Sequence, residues 1–347
     1  DQSFQGPLAA YCQELARYGM KQHVLFYVFT LKDWRRDSVI GYMWHHNQWD
    51  RLELPAPDVL HNRIGQRKLE NLQATRSFFS NLEARGIPYF NAKFLDKWEV
   101  HAILSKHPEL EPYLPETVLY ERKESLKKMF AQHQSLFLKP AAGSQGKQIF
   151  RIQRRENVVT MDHTTSNNEG TREFGSFDDL YFTLKERLQR QPYIIQQGLC
   201  LMDYHSRPLD FRLLCNKGSN GTWKLTSGIA RVSGEEQFVS NLARGGSTYS
   251  VYDVLQETFY EKHAKQIRRL LKELALEIAA LVSFHTNDGY GDLGIDLALD
   301  QQGKPWILEV NTKPSKDLDP ERGASKIRPS AKAVIDYGEY LARFTIT

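Results

Sequence analysis

The strongest constraint on the fold is a pair of apolar strands near the C-terminal end that carry polar side chains. Leu293 to Leu299 contains the run Gly294-Ile295-Asp296. Pro305 to Val310 ends in the run Glu309-Val310-Asn311, which extends one residue beyond it. The turn residues Asp300-Gln301-Gln302-Gly303 between the two strands suit a β-hairpin. A carboxylate inside so apolar a strand needs a partner, because burying an isolated charge is very costly.

The polar side chains of this hairpin form a candidate metal site. Side chains alternate along a strand, so Glu309 and Asn311 project from one face, and the hairpin can bring Asp296 alongside. Mg²⁺ prefers hard oxygen ligands and usually takes one or two carboxylates in addition to nucleotide phosphates. The pattern predicts a Mg²⁺ site, with Mn²⁺ as an alternative ion. The other interpretation is that these are ordinary polar residues at strand ends.

Upstream of the hairpin, the chain alternates helical and strand-like segments, which predicts an α/β (α+β) fold. At 347 residues it is too long for one compact core, and we expect three parts, 1–92, 93–200 and 201–347. In the first part, two short strands flank the turn residues His46-Asn47, and a helix is predicted from about Lys68 to Arg85, ending at Gly86.

The composition excludes several classes of protein. A formal net charge of +4, from 46 basic and 42 acidic residues, is too mild to indicate a nucleic-acid partner. The apolar stretch Val24 to Leu31 is too short to span a membrane, and we expect no membrane partner. The three cysteines, Cys12, Cys200 and Cys215, are far apart and show no metal-binding spacing, which fits a reducing cytoplasm.

A lysine and a glycine-containing loop form a candidate phosphate site. Lys139 ends the strand Leu136 to Lys139 and precedes the loop Ala141-Ala142-Gly143-Ser144-Gln145-Gly146. Small residues let backbone N–H groups approach a polyphosphate, while the lysine supplies a positive charge. Lys97, at a helix start, could place a second ammonium on the same phosphates. A plain β-hairpin and a surface lysine are the alternatives.

Three further motifs follow in the sequence. The buried strand Tyr193 to Gln197 continues into Gly198-Leu199 and could hydrogen-bond adenine through its backbone, although a core strand would look the same. Asp210-Phe211-Arg212 and Gly228-Ile229-Ala230-Arg231 each place an arginine on a strand, as a rigid phosphate donor or as part of a surface salt bridge. The third motif is Asn241-Leu242-Ala243-Arg244-Gly245-Gly246.

In this order, the motifs resemble the ATP-grasp superfamily, and particularly its glutathione-synthetase-like branch. The phrases Pro57-Asp58-Val59, His61-Asn62-Arg63-Ile64, Asp96-Lys97-Trp98-Glu99-Val100 and Leu114-Pro115-Glu116-Thr117 look like those of the YheC/YheD-type ATP-grasp proteins associated with endospore coats. The resemblance covers nearly the whole chain. It implies an N-terminal pre-ATP-grasp domain (1–92) and two α+β subdomains that clasp ATP: a lid subdomain with a connector (93–200) and a metal-binding subdomain (201–347).

The resemblance also implies roles for individual residues. The expected assignments are phosphate binding by Lys97 and Lys139; a lid over the phosphates formed by Gly143, Ser144, Gln145 and Gly146; an adenine pocket at Gln196, Gln197, Gly198 and Leu199; Mg²⁺ binding by Asp296, Glu309 and Asn311; catalysis by Arg212, Arg231 and Lys139; and an acceptor side near Asn241 and Lys313. Two positions depart from the pattern, because Gln197 stands where Glu is frequent and Gly294 where D-alanyl ligases usually carry an arginine.

The function that this resemblance implies is an ADP-forming, Mg-ATP-dependent ligase. It would join a small-molecule or peptide carboxylate to an amine or similar nucleophile through an acyl phosphate, in the cytoplasm and in association with the spore coat. Two alternatives stay open on the sequence alone. One is an ATP-binding coat-associated protein with little catalysis, and the other is a small-molecule kinase on the same fold.

Overall fold

The computed structural model describes residues 4, 6–143, 148–156, 158–164, 169–234, 246–287, 289–315 and 326–343. Within these residues there are nine α-helices, and seventeen β-strands form four sheets. This confirms the predicted α/β (α+β) class. Two 3₁₀ helices, Leu31–Asp33 and Glu111–Tyr113, lie in connections. None of the described helices is both long enough and apolar enough to cross a bilayer.

The first region contains a helix and a three-stranded antiparallel sheet. Its elements are α1 (Pro7–Lys21), β1 (Tyr27–Val28), β2 (Ser38–His45) and β3 (Gln48–Pro55). The turn between β2 and β3 is made by His46 and Asn47, whose φ angles are 45° and 63°. Positive φ at both central residues is the geometry that tight hairpins require. The predicted strand pair around His46-Asn47 is therefore confirmed.

The first region ends with two very short parallel strands and the two helices between them. These elements are β4 (Leu60–His61), α2 (Arg67–Glu70), α3 (Gln73–Ala84) and β5 (Tyr89–Phe90). The prediction of one continuous helix from about Lys68 to Arg85 is wrong, because Leu72 has an extended backbone with φ −65° and ψ 144°. The break leaves Glu70 at the end of α2, where it forms an ion pair with Lys313.

A six-stranded antiparallel sheet, here called the lid sheet, follows. In spatial order its strands are β10 (Glu169–Phe174), β9 (Val159–Thr164), β8 (Phe150–Arg154), β7 (Ser135–Pro140), β11 (Tyr193–Gln197) and β6 (Thr117–Leu119). Two helices, α5 (Lys123–Gln132) and α6 (Phe177–Arg190), pack on it. Leu180, Leu184 and Leu188 of α6 recur every four residues and so present one apolar stripe to the sheet.

The other large sheet, here called the metal sheet, carries the candidate metal residues. In spatial order its main strands are β15 (Ser247–Ser250), β14 (Trp223–Val232), β13 (Arg207–Lys217), β16 (Asp292–Leu299) and β17 (Pro305–Asn311), and β12 (Asp203–Tyr204) pairs with β13. Three helices pack on its core: α4 (Lys97–Leu104), α7 (Val251–Thr258) and α8 (Glu261–His285). The predicted hairpin between β16 and β17 is confirmed, since the two strands pair in antiparallel fashion and the backbone N–H of Gly303 donates to the Asp300 carbonyl at 3.0 Å.

The last helix, α9 (Pro329–Arg343), returns to the first region. It packs against α1 in a core that includes Tyr11, Leu15 and Val334, and Tyr18 Oη donates to Asp336 Oδ1 at 2.9 Å. Residues from both ends of the chain thus share one core. The division into 1–92, 93–200 and 201–347 stays a prediction.

Candidate nucleotide and metal site

The candidate metal residues lie in one row across the metal sheet. Arg212 on β13 is the cross-strand partner of Asp296 on β16, and Asp296 is in turn the partner of Glu309 on β17. Directly opposed side chains project from the same face of a sheet. Asn311 lies two residues beyond Glu309, and its Nδ2 donates to Asp296 Oδ2 at 3.2 Å. The structure therefore brings Asp296, Glu309 and Asn311 together.

Two arginines hold Asp296 from the neighbouring strands. Arg212 donates to both carboxylate oxygens, with Nη2 2.8 Å from Oδ2, and Arg231 Nη2 lies 3.0 Å from the same Oδ2. Burial by itself would raise the pKa of Asp296, but the charges and hydrogen bonds of Arg212 and Arg231 lower it below its ordinary value. The carboxylate is therefore ionised at neutral pH.

Asp210 fixes the second of these arginines. Arg231 Nε and Nη2 donate to the two oxygens of Asp210 at 2.6 and 2.7 Å, and the two residues are cross-strand partners. Such bidentate contacts set the plane of the guanidinium as well as its position. Sequence reasoning gave Asp210 no role. Its place two residues before Arg212, on the same face of the strand, was the available signal.

Lys97 faces the row from the start of α4. Its Nζ lies 3.0 Å from Glu309 Oε1 and donates to the Gly143 carbonyl at 2.8 Å. The helix start is fixed by a capping box, in which Asp96 accepts from Glu99 N at 2.7 Å and Glu99 accepts from Asp96 N at 2.9 Å. Lys97 thus touches both the metal row and the described part of the phosphate loop.

Lys139 approaches from the lid sheet. Its Nζ donates to Gln196 Oε1 at 2.7 Å, and Gln196 Nε2 donates to Thr117 Oγ1 at 3.0 Å. Burial lowers the pKa of Lys139 to about 8; Lys97 acts in the same direction, whereas Glu309 and Asp296 oppose the shift. Lys139 therefore shares one electrostatic environment with Lys97 and the carboxylate row.

The predicted adenine strand uses its glutamine side chains internally. Gln196 holds Lys139, and Gln197 Oε1 accepts from Glu116 N at 3.2 Å. Gly198 packs so closely on Ser135 that a Cβ would lie 2.4 Å from the Ser135 hydroxyl. Leu199 is half-buried. The adenine contacts assigned to residues 196–199 stay a prediction.

Gly294 has a steric explanation. A Cβ at this position would lie 2.9 Å from Pro314 Cβ and 3.4 Å from Arg212 Cδ. The space that an arginine would need is thus filled by Pro314 and by the stem of Arg212. The departure from the D-alanyl ligase pattern follows from this packing.

The residues predicted for the acceptor side and the lid are only partly described. The amine of Lys313 is buried in an ion pair with Glu70 and lies 3.3 Å from the Ile64 carbonyl. Burial lowers its pKa to about 8, against the opposing effect of Glu70. Gly143 is described, whereas Ser144, Gln145, Gly146 and Asn241 lie outside the described residues. The roles assigned to all of them stay predictions.

The ligands available for a metal are few. Among the described residues, no group of three or more His, Cys, Asp or Glu side chains is arranged to hold a metal ion. The row offers two carboxylates and an amide, all with hard oxygen donors. This set fits Mg²⁺, which in nucleotide sites takes one or two protein carboxylates and completes its shell with phosphate oxygens and water.

A sequence model of the YheC/D like ATP-grasp family matches residues 86–341. The chain belongs to this family. Two similar proteins of Bacillus subtilis (strain 168) are the endospore coat-associated proteins YheD and YheC. YheD is 27% identical over 323 residues, which cover 91% of this chain and 70% of YheD. YheC is 26% identical over 323 residues, which cover 89% of this chain and 85% of YheC. The predicted family is confirmed.

Solved structures show the same fold. The ATP-grasp ligase PsnB, in complex with a minimal precursor, superposes with a TM-score of 0.52 at 15% identity, over 97% of both chains. The D-alanine-D-alanine ligase from Coxiella burnetii gives a TM-score of 0.51 at 12% identity, over 89% of this chain and 76% of that one. This ATP-grasp family member therefore has the predicted ATP-grasp fold.

Proposed function

We propose that this protein is an ADP-forming, Mg-ATP-dependent ligase that activates a carboxylate and joins it to an amine or similar nucleophile. One observation carries the proposal: Lys97 and Lys139, from different elements, share one environment with the row of Asp296, Glu309 and Asn311. Two ammonium groups suited to phosphate therefore accompany a set of oxygen donors suited to Mg²⁺, which supports the proposal. The ATP-grasp fold, which the ligases above share, supports the same assignment.

The charges of the site suit Mg-ATP. Three carboxylates (Asp210, Asp296 and Glu309) are matched by four cationic side chains (Arg212, Arg231, Lys97 and Lys139), which leaves one net positive charge. In this proposal Lys97 and Lys139 bind the phosphates, while Asp296, Glu309 and Asn311 hold Mg²⁺ or Mn²⁺. The bound ion would neutralise charge on the phosphate oxygens.

The proposed reaction has two steps. A substrate carboxylate oxygen attacks the γ-phosphorus of ATP, the bond from that phosphorus to the bridging oxygen breaks, and ADP leaves. An amine then attacks the acyl carbon, the carbon–oxygen bond to phosphate breaks, and the amine loses a proton. Arg212 and Arg231, freed from Asp296, would stabilise charge on the transferred phosphoryl oxygens. The loop at Gly143 to Gly146 would exclude water from the acyl phosphate.

The second candidate is an ATP-binding protein that associates with the spore coat and turns over little ATP. The names of YheD and YheC, both endospore coat-associated proteins, support the coat association in this candidate. The two candidates differ in turnover rather than in fold. A small-molecule kinase, the third alternative, differs from a ligase in its product.

An ADP-release screen separates these candidates. The purified protein is incubated with Mg-ATP and pools of amino acids, peptides and polyamines, and products are identified by mass spectrometry. A ligase yields free phosphate and a condensed product, a kinase yields a phosphorylated acceptor, and a binding protein yields neither. Glu309→Ala should abolish Mg-dependent ADP release, whereas Glu273→Ala, which removes an exposed carboxylate on α8, should not. Wild-type turnover in Glu309→Ala would refute the proposed site.

A further inference from the structure

Glu70, in the first region, makes contacts with both sides of the candidate site. Its Oε1 accepts from Lys313 Nζ and, at 3.2 Å, from Asn62 Nδ2. Its Oε2 accepts from the backbone N–H of Phe94 at 2.8 Å. The carboxylate is 9% exposed and the Lys313 side chain is 2% exposed, so the contacts are well shielded from water.

The two partners of Glu70 lead directly to residues of the site. Lys313 follows Asn311 by two residues, and Phe94 precedes Lys97 by three. Lys97 and Glu309 are themselves in contact at 3.0 Å. One buried carboxylate therefore connects the strand end that carries the metal ligands with the segment that starts the Lys97 helix.

Neighbouring side chains strengthen both connections. Lys313 Nζ lies 4.7 Å from the centre of the Phe94 ring, and Arg67 stacks on the same ring at 5.0 Å while donating to the Phe94 carbonyl at 3.3 Å. Arg63 Nη2 donates to the Pro314 carbonyl at 2.9 Å. The first region thus holds the backbone on either side of the candidate site through side chains of α2 and of the segment between β4 and α2.

We infer that Glu70 is a positioning residue that sets the spacing between Lys97 and the Glu309–Asn311 strand end, and that it couples the first region to nucleotide binding. The inference rests on the proposed function for its effect on Mg-ATP. The contacts of Glu70 with Lys313 and Phe94, here called the Glu70 clamp, exist without nucleotide. Groups that hydrogen-bond directly to metal ligands typically change metal affinity or activity by about 10–100-fold when they are removed. Glu70 acts one residue further away, through Lys313 and Phe94, so we expect an effect at the lower end of that range.

Two variants separate the two contacts of the Glu70 clamp, one with Lys313 and one with Phe94. Glu70→Ala removes the acceptor for both Phe94 and Lys313. Lys313→Met keeps the hydrogen bond from Phe94 to Glu70 and removes the contacts of the ammonium with Glu70 and with the Phe94 ring. Glu53→Ala is the matched control, because Glu53 is an exposed carboxylate of the same region that accepts a hydrogen bond from Ser38. Glu70→Gln serves where Glu70→Ala does not fold, since its amide oxygen keeps one acceptor without the charge.

Hydrogen exchange of the ligand-free protein tests the clamp. Glu70→Ala should accelerate exchange at Phe94 to Lys97 and at Asn311 to Lys313, and Lys313→Met should do so more strongly at Asn311 to Lys313 than at Phe94 to Lys97. The lid sheet should stay as protected as in wild type. Unchanged exchange at both segments, or an equal acceleration throughout the protein, overturns the inference.

Calorimetric titration with Mg-ATP tests the coupling. Glu70→Ala should weaken binding by about 10-fold, the lower end of the range for groups that orient metal ligands. Wild-type affinity in that variant overturns the inference even if the proposed function stands. If wild-type protein binds no Mg-ATP, the proposed function fails, while hydrogen exchange still decides whether Glu70 positions the two segments.

Discussion

Arg231→Met tests whether the buried charges of the metal sheet depend on one another. The guanidinium makes two hydrogen bonds to Asp210 and lies 3.0 Å from Asp296. Methionine replaces much of the apolar stem, so the variant mainly removes charge. Asp296 keeps Arg212, but Asp210 loses its bidentate partner.

The expected loss of stability is large. Removing one partner of a buried ion pair typically costs about 3–5 kcal/mol, because the other charge stays buried. The side chains of Arg231 and Asp210 are 12% and 6% exposed, so solvent screening reduces this cost only slightly. We therefore expect the free energy of unfolding to fall by about 3–5 kcal/mol in Arg231→Met.

Urea denaturation followed by tryptophan fluorescence measures this loss, since Trp223 and Trp306 report on the metal sheet. A double-mutant cycle with Asp210→Asn isolates the interaction, and the double variant should lose less stability than the two single losses together. Additive losses, or a change below about 1 kcal/mol in Arg231→Met, would refute the inference that these charges are interdependent.

Two further predictions concern the same site. Mg-ATP affinity should fall as the pH rises through about 8, because Lys139 then loses the proton that phosphate binding needs. Calorimetry from pH 7 to 9 should show this fall in wild type and a much weaker one in Lys139→Arg, since arginine stays protonated. Equal pH profiles in the two proteins would contradict this prediction. Gly294→Ala should destabilise the protein by about 1–3 kcal/mol, since the new Cβ would lie 2.9 Å from Pro314 Cβ. A thermal midpoint equal to that of wild type would contradict this, because it would mean that the segment carrying Pro314 moves at no cost.

Local patterns predicted the parts of the fold that depend on neighbouring residues. The turns at His46-Asn47 and Asp300 to Gly303 were predictable because turn chemistry is local. The break in the predicted Lys68 to Arg85 helix was not, because no glycine or proline stands at Asn71 or Leu72. Its partner contact, Glu70 with Lys313, spans 243 residues.

The same distinction applies to the site. Strand alternation predicted that Glu309 and Asn311 share a face of the sheet. The predicted hairpin placed Asp296 on the strand next to them, as the structure shows. Alternation says nothing about which strands meet, so the contact of Lys139 with Gln196, 57 residues away, had no signal in the sequence. The amide oxygen of Gln196 accepts a hydrogen bond from Lys139, so it already has a partner within the protein at the predicted adenine pocket.

The charged groups proposed to bind Mg-ATP already have partners within the described part of the protein. Asp296 accepts from Arg212 and Arg231, and Glu309 pairs with Lys97. Nucleotide alone would draw Lys97 away from Glu309, and metal alone would draw the arginines away from Asp296, so either ligand by itself would leave buried charges less well matched. Both together would give each of these charged groups a new partner of opposite charge. The internal pairing thus favours joint binding of metal and nucleotide over binding of either one alone.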